Sequence, residues 1–235
     1  VILFVSATIR EMEHFIKGWL PLSVLNYPGS NVKFRDTDIG FLICGIGPLN
    51  AAISLERYLE NNRHTLCVIN IGIAGSYDLG LFPLGSVCVA SREIWPEYGV
   101  RTQNCLADPE KIGFPLYRKG NDVIWNSLQL ETEFLSHVTG LTFDLSWRRG
   151  VSITLAGISS CPDQAREFKE YFQGNMENME GFALAYCCYL RSIPFVEVRS
   201  ISNLAGSRNK EDWDFKGAFV ALQEIWSGFW GIQHS

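Results

Sequence analysis

The stretch NMENMEGFALAYCCYLRSIPFVEVRSISNLAG, residues 175–206, decides the fold. Met179-Glu180-Gly181 closes a strand and opens a helix over 181–191 that is apolar on nearly every face. A helix with no polar side is buried on all sides. Ser192-Ile193-Pro194 then turns the chain into a strand over 195–201, which ends in Ser202-Asn203. Strand, buried helix and strand make a βαβ unit, which requires a parallel sheet. Polar residues at the ends of such strands face the crevice where α/β proteins take ligands. Glu180 and Asn203 are therefore the first residues to ask about.

Outward from this unit, residues 1–6 read as a buried strand. Thr8 and Glu11 stand at the start of a helix from 9 to about 20. Pro21 and Pro28-Gly29 mark a loop, after which 33–37 and 40–44 read as a hairpin or as two neighbouring strands around Asp38. Gly45-Ile46-Gly47-Pro48 leads into a helix over 49–60. A strand over 66–71 runs into a glycine turn, Gly72-Ile73-Ala74-Gly75, and another strand covers 85–92. Residues 95–121 lack periodicity and read as a long loop, a feature usually functional in compact domains. A helix over 122–137, a strand over 150–155 and helices over 162–172 and 215–228 complete the pattern. Strands alternating with helices predict one α/β domain over 1–235, with a central twisted, mixed β-sheet flanked by helices.

Composition excludes several classes of function. The chain is 47% hydrophobic and 19% charged, which is globular. A formal charge of −5 argues against nucleic acid or an anionic membrane as partner. No run of 18 apolar residues predicts a membrane span, and the opening VILFV lacks the length and basic flank of a signal peptide. Seven cysteines, most within apolar runs and none in a zinc spacing, read as reduced thiols of a cytoplasmic protein with no metal.

Each candidate residue has two readings. Gly45-Ile46-Gly47 is either a dinucleotide fingerprint lacking its third glycine or a tight turn. Gly72-Ile73-Ala74-Gly75 is either a ligand-facing backbone or a glycine turn. Glu11 is either a functional carboxylate or the far half of a capping box with Thr8. Glu180 is either a cleft carboxylate or a helix N-terminal acid favoured by the dipole. Asn203 is either a ligand contact or a turn residue ahead of Gly206.

Taken together, these pieces resemble the nucleoside phosphorylase/nucleosidase superfamily. The likeness rests on Ala7-x-x-x-Glu11, Gly45-Ile46-Gly47 with Ala51-Ala52, Gly72-x-Ala74-Gly75, Gly85-Ser86-Val87, Met179-Glu180-Gly181 and Arg199-x-x-Ser202-Asn203. The wording of 178–183 and 198–203 is most similar to the futalosine hydrolase branch, whose near relatives are the methylthioadenosine/S-adenosylhomocysteine nucleosidases. The resemblance implies cleavage of a purine N-ribosidic bond, with no cofactor and a small-molecule purine nucleoside as substrate. In that light Glu11 activates water, Glu180 binds ribose hydroxyls and Met179 packs against the sugar. Ile73, Ala74, Gly75, Arg199 and Ser202 are implied substrate contacts.

The adenine-cleaving relatives carry an acid where this chain has Asn203, and an amide has no proton to give near neutral pH. Asn203 can donate a hydrogen bond to a 6-oxopurine, which favours hypoxanthine as leaving group. Hexameric-type phosphorylases carry Arg-x-Gly-Ser where this chain reads Asn70-Ile71-Gly72-Ile73, so water is the expected nucleophile. Asn178 stands where the nucleosidases commonly have an acid. Ile158 falls near their purine-stacking aromatic, leaving Trp95 or Tyr98 as substitutes. Adenine-nucleoside cleavage, including aminodeoxyfutalosine, and a non-catalytic purine-nucleoside sensor are the competing expectations. The family also implies a homodimer or larger homo-oligomer, with the loop over 95–121 as the candidate contact.

Overall fold

The computed structural model describes residues 1–26, 31–101 and 107–232. Pro28-Gly29, Cys105 and the centre of the 95–121 segment lie outside the described residues. Strand β1 (Ile2–Ser6) is buried along its whole length, and α1 (Ile9–Ile16) follows. The helix ends short of position 20, and Gly18, at φ +83°, takes the left-handed conformation that stops helices. β2 (Val32–Phe34) and β3 (Thr37–Ile43) form the expected hairpin. Its turn is Arg35-Asp36, both at positive φ, rather than Asp38. Asp38 instead pairs across the strands with Lys33 at 3.1 Å.

α2 (Pro48–Asn61) begins with proline, whose missing N–H costs nothing in a first turn. β4 (Cys67–Ser76) runs straight through Gly72-Ile73-Ala74-Gly75, which is strand and not the turn its glycines suggested. After β5 (Val87–Ile94), the segment read as a loop holds one short pair and the first strand of another. These are β6 (Val100–Arg101) with β7 (Ala107–Asp108), and β8 (Tyr117–Lys119) with β9 (Asp122–Ile124). The helix expected over 122–137 is mostly extended: β9 and β10 (Ser127–Gln129) precede a short α3 (Phe134–Thr139). Ile124 and Leu128, both buried, are four apart, a spacing that satisfies helical and strand periods alike. β11 (Arg148–Thr154), α4 (Pro162–Phe172), β12 (Met176–Asn178), α5 (Gly181–Leu190), β13 (Phe195–Leu204) and α6 (Phe215–Trp230) complete the chain.

Among the described residues, nine strands form one mixed sheet. β4 pairs with β13, β13 with β5, β5 with β11, β11 with β12, and β12 with β4 again, so these strands close into a small barrel. β1, β3 and β2 extend the sheet from β4. The closure corrects the βαβ expectation. β12 runs antiparallel to β4 and β13 parallel to it, so α5 joins strands of opposite direction that are not neighbours. β4 is long enough to carry β1 and then β12 along one edge, which lets the chain return that way. Packed on the sheet are α1 with α6, around Phe4, Phe15, Trp226 and Phe229, and α2 with α5, around Leu55, Leu59, Leu184 and Cys188. α5 is not buried all round: Ala183, Tyr186 and Tyr189 are half-buried along one stripe.

The register decides what lines the barrel. Gly150 pairs with Ala90 and Val151 with Arg92, so Ser91 is an extra residue in β5. Such a bulge reverses the alternation of side chains beyond it. Glu93 consequently faces inward with Ser152 and Thr154, while Arg92 points out to bond the Phe172 carbonyl at the end of α4. One part of the lining is apolar, from Ala74, Cys88, Ala90, Met176 and Ile201. The rest is polar: Asn70, Glu93, Ser152, Thr154, Asn178, Glu197 and Arg199, all buried.

Candidate active site

Glu180 is the N-cap of α5, yet its side chain makes no cap. Asn178 does that work: its Oδ1 accepts from the Glu180 and Gly181 N–H groups at 2.8 and 2.7 Å. Thr154 Oγ1 accepts from Phe182 N at 2.7 Å. With these otherwise unpaired first-turn donors satisfied, the Glu180 carboxylate is left to turn toward Gly47 and Arg199. Its Oε1 accepts from Gly47 N at 3.0 Å, and its Oε2 lies 3.7 Å from Arg199 Nη1. Gly47, at φ +93°, belongs to a tight turn that delivers a backbone donor to Glu180. Burial raises the Glu180 carboxyl above its ordinary value, opposed by the Arg199 guanidinium and this N–H.

The capping reading of Glu11 is realised with one of its two oxygens. Its Oε2 accepts from Thr8 N and Thr8 Oγ1 at 2.9 and 2.7 Å, and Glu11 N returns a bond to Thr8 Oγ1. That is a complete capping box. Its Oε1 reaches across to Ile73 N at 3.1 Å. A Cβ on Gly72 would lie 2.6 Å from Arg199 Nη1 and 2.8 Å from Glu11 Oε1, so only glycine lets these groups meet over β4.

Arg199 is the hub. Its Nε donates to Glu197 Oε1 at 3.0 Å, its Nη2 donates to Asn70 Oδ1, and its Nη1 faces Glu180. The side chain is 1% exposed, with every nitrogen turned to a protein group. It therefore holds the carboxylates, rather than offering the direct substrate contact the resemblance implied. Ser202 departs in the same way. It is the extra residue of a second bulge, between Ile201 paired with Ala74 and Asn203 paired with Gly75. Its Oγ lies 3.2 Å from Ala74 O and 2.8 Å from Asn203 Oδ1, so it orients Asn203. Asn203 Nδ2 bonds Leu204 O at 3.1 Å. A Cβ on Gly75 would sit 3.1 Å from Asn203 Nδ2 and 3.3 Å from Glu177 Cγ, so those residues flank the glycine. Met179 and Ile73 are half-buried, and Ala74 is buried.

The structure brings Glu11, Ile73, Glu180 and Arg199 into one cluster, with Ala74, Gly75, Ser202 and Asn203 further along the same strand pair. Trp95 stacks on Tyr98 at 5.7 Å and lies against Phe182 at 6.0 Å. Sequence reasoning missed Glu93, Ser152, Thr154, Glu177 and Glu197. A signal existed for one of them: Glu197 and Arg199 alternate in a strand whose first half is otherwise apolar, and two charges on one buried face must pair. Among the described residues, no group of three or more His, Cys, Asp or Glu is placed to hold a metal. No helix among them is long and apolar enough to cross a membrane.

Residues 33–225 match the phosphorylase superfamily, and the chain belongs to that family. Within it, the relatives place the chain among the nucleosidases, which are N-glycosyl hydrolases. It is 31% identical to a futalosine hydrolase of Thermus thermophilus over 192 residues, covering 80% of this chain and 79% of the relative. It is 27% identical to a 5'-methylthioadenosine/S-adenosylhomocysteine nucleosidase of Oceanobacillus iheyensis, covering 77% and 74%. A structure of a futalosine hydrolase mutant of Helicobacter pylori shares the fold, with TM-score 0.71, 16% identity and coverage of 97% and 96%. So does a mutant 5'-methylthioadenosine/S-adenosylhomocysteine nucleosidase of that organism with 5'-methylthioadenosine in its active site, with TM-score 0.71, 14% identity and coverage of 95% for both chains.

Proposed function

We propose that this chain hydrolyses the N-ribosidic bond of futalosine, releasing hypoxanthine and dehypoxanthine futalosine in menaquinone biosynthesis. The observation that carries this reading is the neutral Asn203, where an acid would serve adenine, combined with the 31% identity to a futalosine hydrolase. Breaking the bond creates a ribosyl cation-like transition state and an anionic purine, and fixed groups aimed at developing charge lower that barrier. Glu180 accepts hydrogen bonds from the ribose hydroxyls and sets negative charge beside the cation. Glu11, anchored by Thr8 and Ile73 N, orients and deprotonates the attacking water. Asn203, turned by rotation of its amide, donates to N7 or O6 of the leaving base. Asn70 supports water over phosphate as nucleophile, because its amide is already engaged by Arg199 and by Val5 O at 3.1 Å.

A second reading, cleavage of adenine nucleosides such as methylthioadenosine, S-adenosylhomocysteine or aminodeoxyfutalosine, is favoured by one feature. Glu177, across Gly75 from Asn203, is a buried carboxyl that burial pushes up, and a proton held there could reach an adenine leaving group. The assay that separates the readings measures free base from futalosine, inosine and methylthioadenosine, with and without phosphate. Phosphate-independent hypoxanthine release, fastest with futalosine, is the expected result. Adenine as the main product overturns the reading of Asn203, and a phosphate requirement overturns water as nucleophile. No release from any substrate favours the sensor.

The profile of kcat/KM against pH carries a further prediction. Protonated Glu180 cannot accept from two hydroxyls, so activity falls as pH falls through its raised pKa. The acidic limb is expected above the ordinary glutamate value of 4.5. A limb at or below that value would remove Glu180 from the ionised role. The proposal also includes a cytoplasmic homo-oligomer. Ile46, Leu49 and Ile53 stand 55%, 78% and 59% exposed on one side of the start of α2, a stripe suited to cover by a second copy.

A further inference from the structure

Inside the barrel, below the proposed ribose site, lie two carboxyl groups that the mechanism does not use. Glu93 and Glu197 are both 0% exposed. A Cβ on Gly181 would sit 2.2 Å from Glu197 Oε2 and 2.3 Å from Glu93 Oε1, so both oxygens crowd under the first residue of α5. Arg199 engages Glu197 through Oε1 only, and Glu197 Oε2 has no donor among the other described groups. Among the described residues Glu93 has no cation beside it; it accepts from Asn178 Nδ2 and Thr154 Oγ1, both at 2.7 Å. Counting Glu11 and Glu180, four buried carboxyls surround one buried guanidinium. Two ionised carboxylates at this separation with one cation between four would be strongly disfavoured.

We propose that Glu93 and Glu197 share a single proton beneath Gly181, Glu93 as the acid and Glu197 as the carboxylate, and that this pair positions Glu180. The route runs through both partners. Glu197 holds Arg199, whose Nη1 faces Glu180. Glu93 holds Asn178 and Thr154, the two side chains that cap α5 and release the Glu180 carboxylate. Ser152 Oγ, which donates to Glu197 Oε1 at 3.0 Å and accepts from Asn178 Nδ2 at 2.8 Å, closes the circuit. Burial and the neighbouring Glu197 charge raise the Glu93 carboxyl well above the ordinary range, in agreement with this geometry. The titratable groups that bear on Glu93 are Glu197 on β13, whose other oxygen is held by Arg199, and Tyr77 beyond β4. Both are positioning residues, and their effect on turnover rests on the ribose-binding reading of Glu180.

An amide at position 93 can replace the acid. Asn178 Nδ2 has two protons and three acceptors within reach, Glu93 Oε1, Ser152 Oγ and Glu197 Oε1, so it can lose one without being stranded. In E93Q the new amide nitrogen would then donate to Glu197 Oε2. The test compares E93A, E93Q and E197Q by kcat, KM and thermal unfolding against pH. E93A is expected to lose about 100-fold in kcat, the scale of a small misplacement of a catalytic group. E93Q is expected to recover to within about tenfold of wild type, whereas E197Q, which strips Arg199 of its anion, stays near the E93A level.

Unfolding gives the readout that needs no substrate. A carboxyl raised in the folded state stabilises fully below its unfolded pKa, and that stability is lost as pH rises through the folded pKa. Wild type should lose about tenfold in folding equilibrium per pH unit on this account, and E93Q should lack that component. The proposal is overturned if E93Q keeps the wild-type slope, if E93Q is as poor as E93A, or if the amide is better tolerated at 197 than at 93. Should E93A not fold, the slope and the contrast between E93Q and E197Q still decide. If wild type cleaves no nucleoside, the functional reading fails, while the unfolding slope still tests the shared proton.

Discussion

Glu11→Gln is expected to lower kcat by roughly 100- to 10,000-fold, the usual contribution of a positioned general base. The affinity for an unreacted nucleoside should change little. The substitution keeps a carbonyl oxygen for Ile73 N, so the side chain stays over β4, and only the group proposed to take the proton from water is gone. The variant has a second, smaller consequence. The Oε2 that becomes an amide nitrogen now accepts from Thr8 N and Thr8 Oγ1, so the capping box is damaged. Loss of a cap costs about 1 kcal/mol, and a lowered Tm should accompany the kinetic defect. Single-turnover kinetics with a separate measurement of Kd distinguishes the two effects. A fall in kcat with Kd preserved supports water activation. Unchanged turnover would remove Glu11 from the chemistry and leave it as a cap.

Gly181→Ala carries the largest structural effect. The added methyl would stand 2.2 Å from Glu197 Oε2 and 2.3 Å from Glu93 Oε1, and hydrogen bonds from Arg199, Ser152, Thr154 and Asn178 hold those carboxyls in place. Overpacking of this kind costs about 1–3 kcal/mol. For a chain of this size, each kcal/mol lowers Tm by about 2–4 °C. Activity should fall as well, because α5 can move away from the carboxyls only by carrying Glu180 with it. Gly157→Ala is the matching control: among the described residues nothing lies within 4 Å of its added Cβ, and its Tm and activity should match wild type. If both variants unfold alike, the crowding beneath α5 has no energetic weight.

What the sequence made legible follows the same physics. Strong strands and the proline-led helices α2 and α4 were readable, because apolar runs and first-turn prolines are local signals. Glu11, Glu180 and Asn203 became candidates only in combination, since each has an ordinary local explanation and only their shared resemblance pointed to a site. The barrel was hidden. Closure depends on β12, three residues long, pairing with the far end of β4, and nothing local in Met176–Asn178 announces that partner. The segment over 122–137 misled because its buried residues satisfy two periods at once. Arg199 and Ser202 were assigned to the substrate by the resemblance alone, which carries no information on burial. Burial turned both toward the groups that face it.

The extra residue in β5 makes chain length, and not side-chain identity, the quantity that sets the charge of the interior. Position 91 contributes a step of phase. A different residue there would leave Glu93 inside and Arg92 outside, and so would its removal, which restores regular pairing with Arg92 still opposite Val151; one residue inserted between Ser91 and Arg92 would exchange them. Arg92 would then enter beside Arg199, and an acid would be lost from the foundation of the site. A one-residue insertion on this strand, far from Glu11 and Asn203 in sequence, would invert the electrostatic sign on which their placement depends.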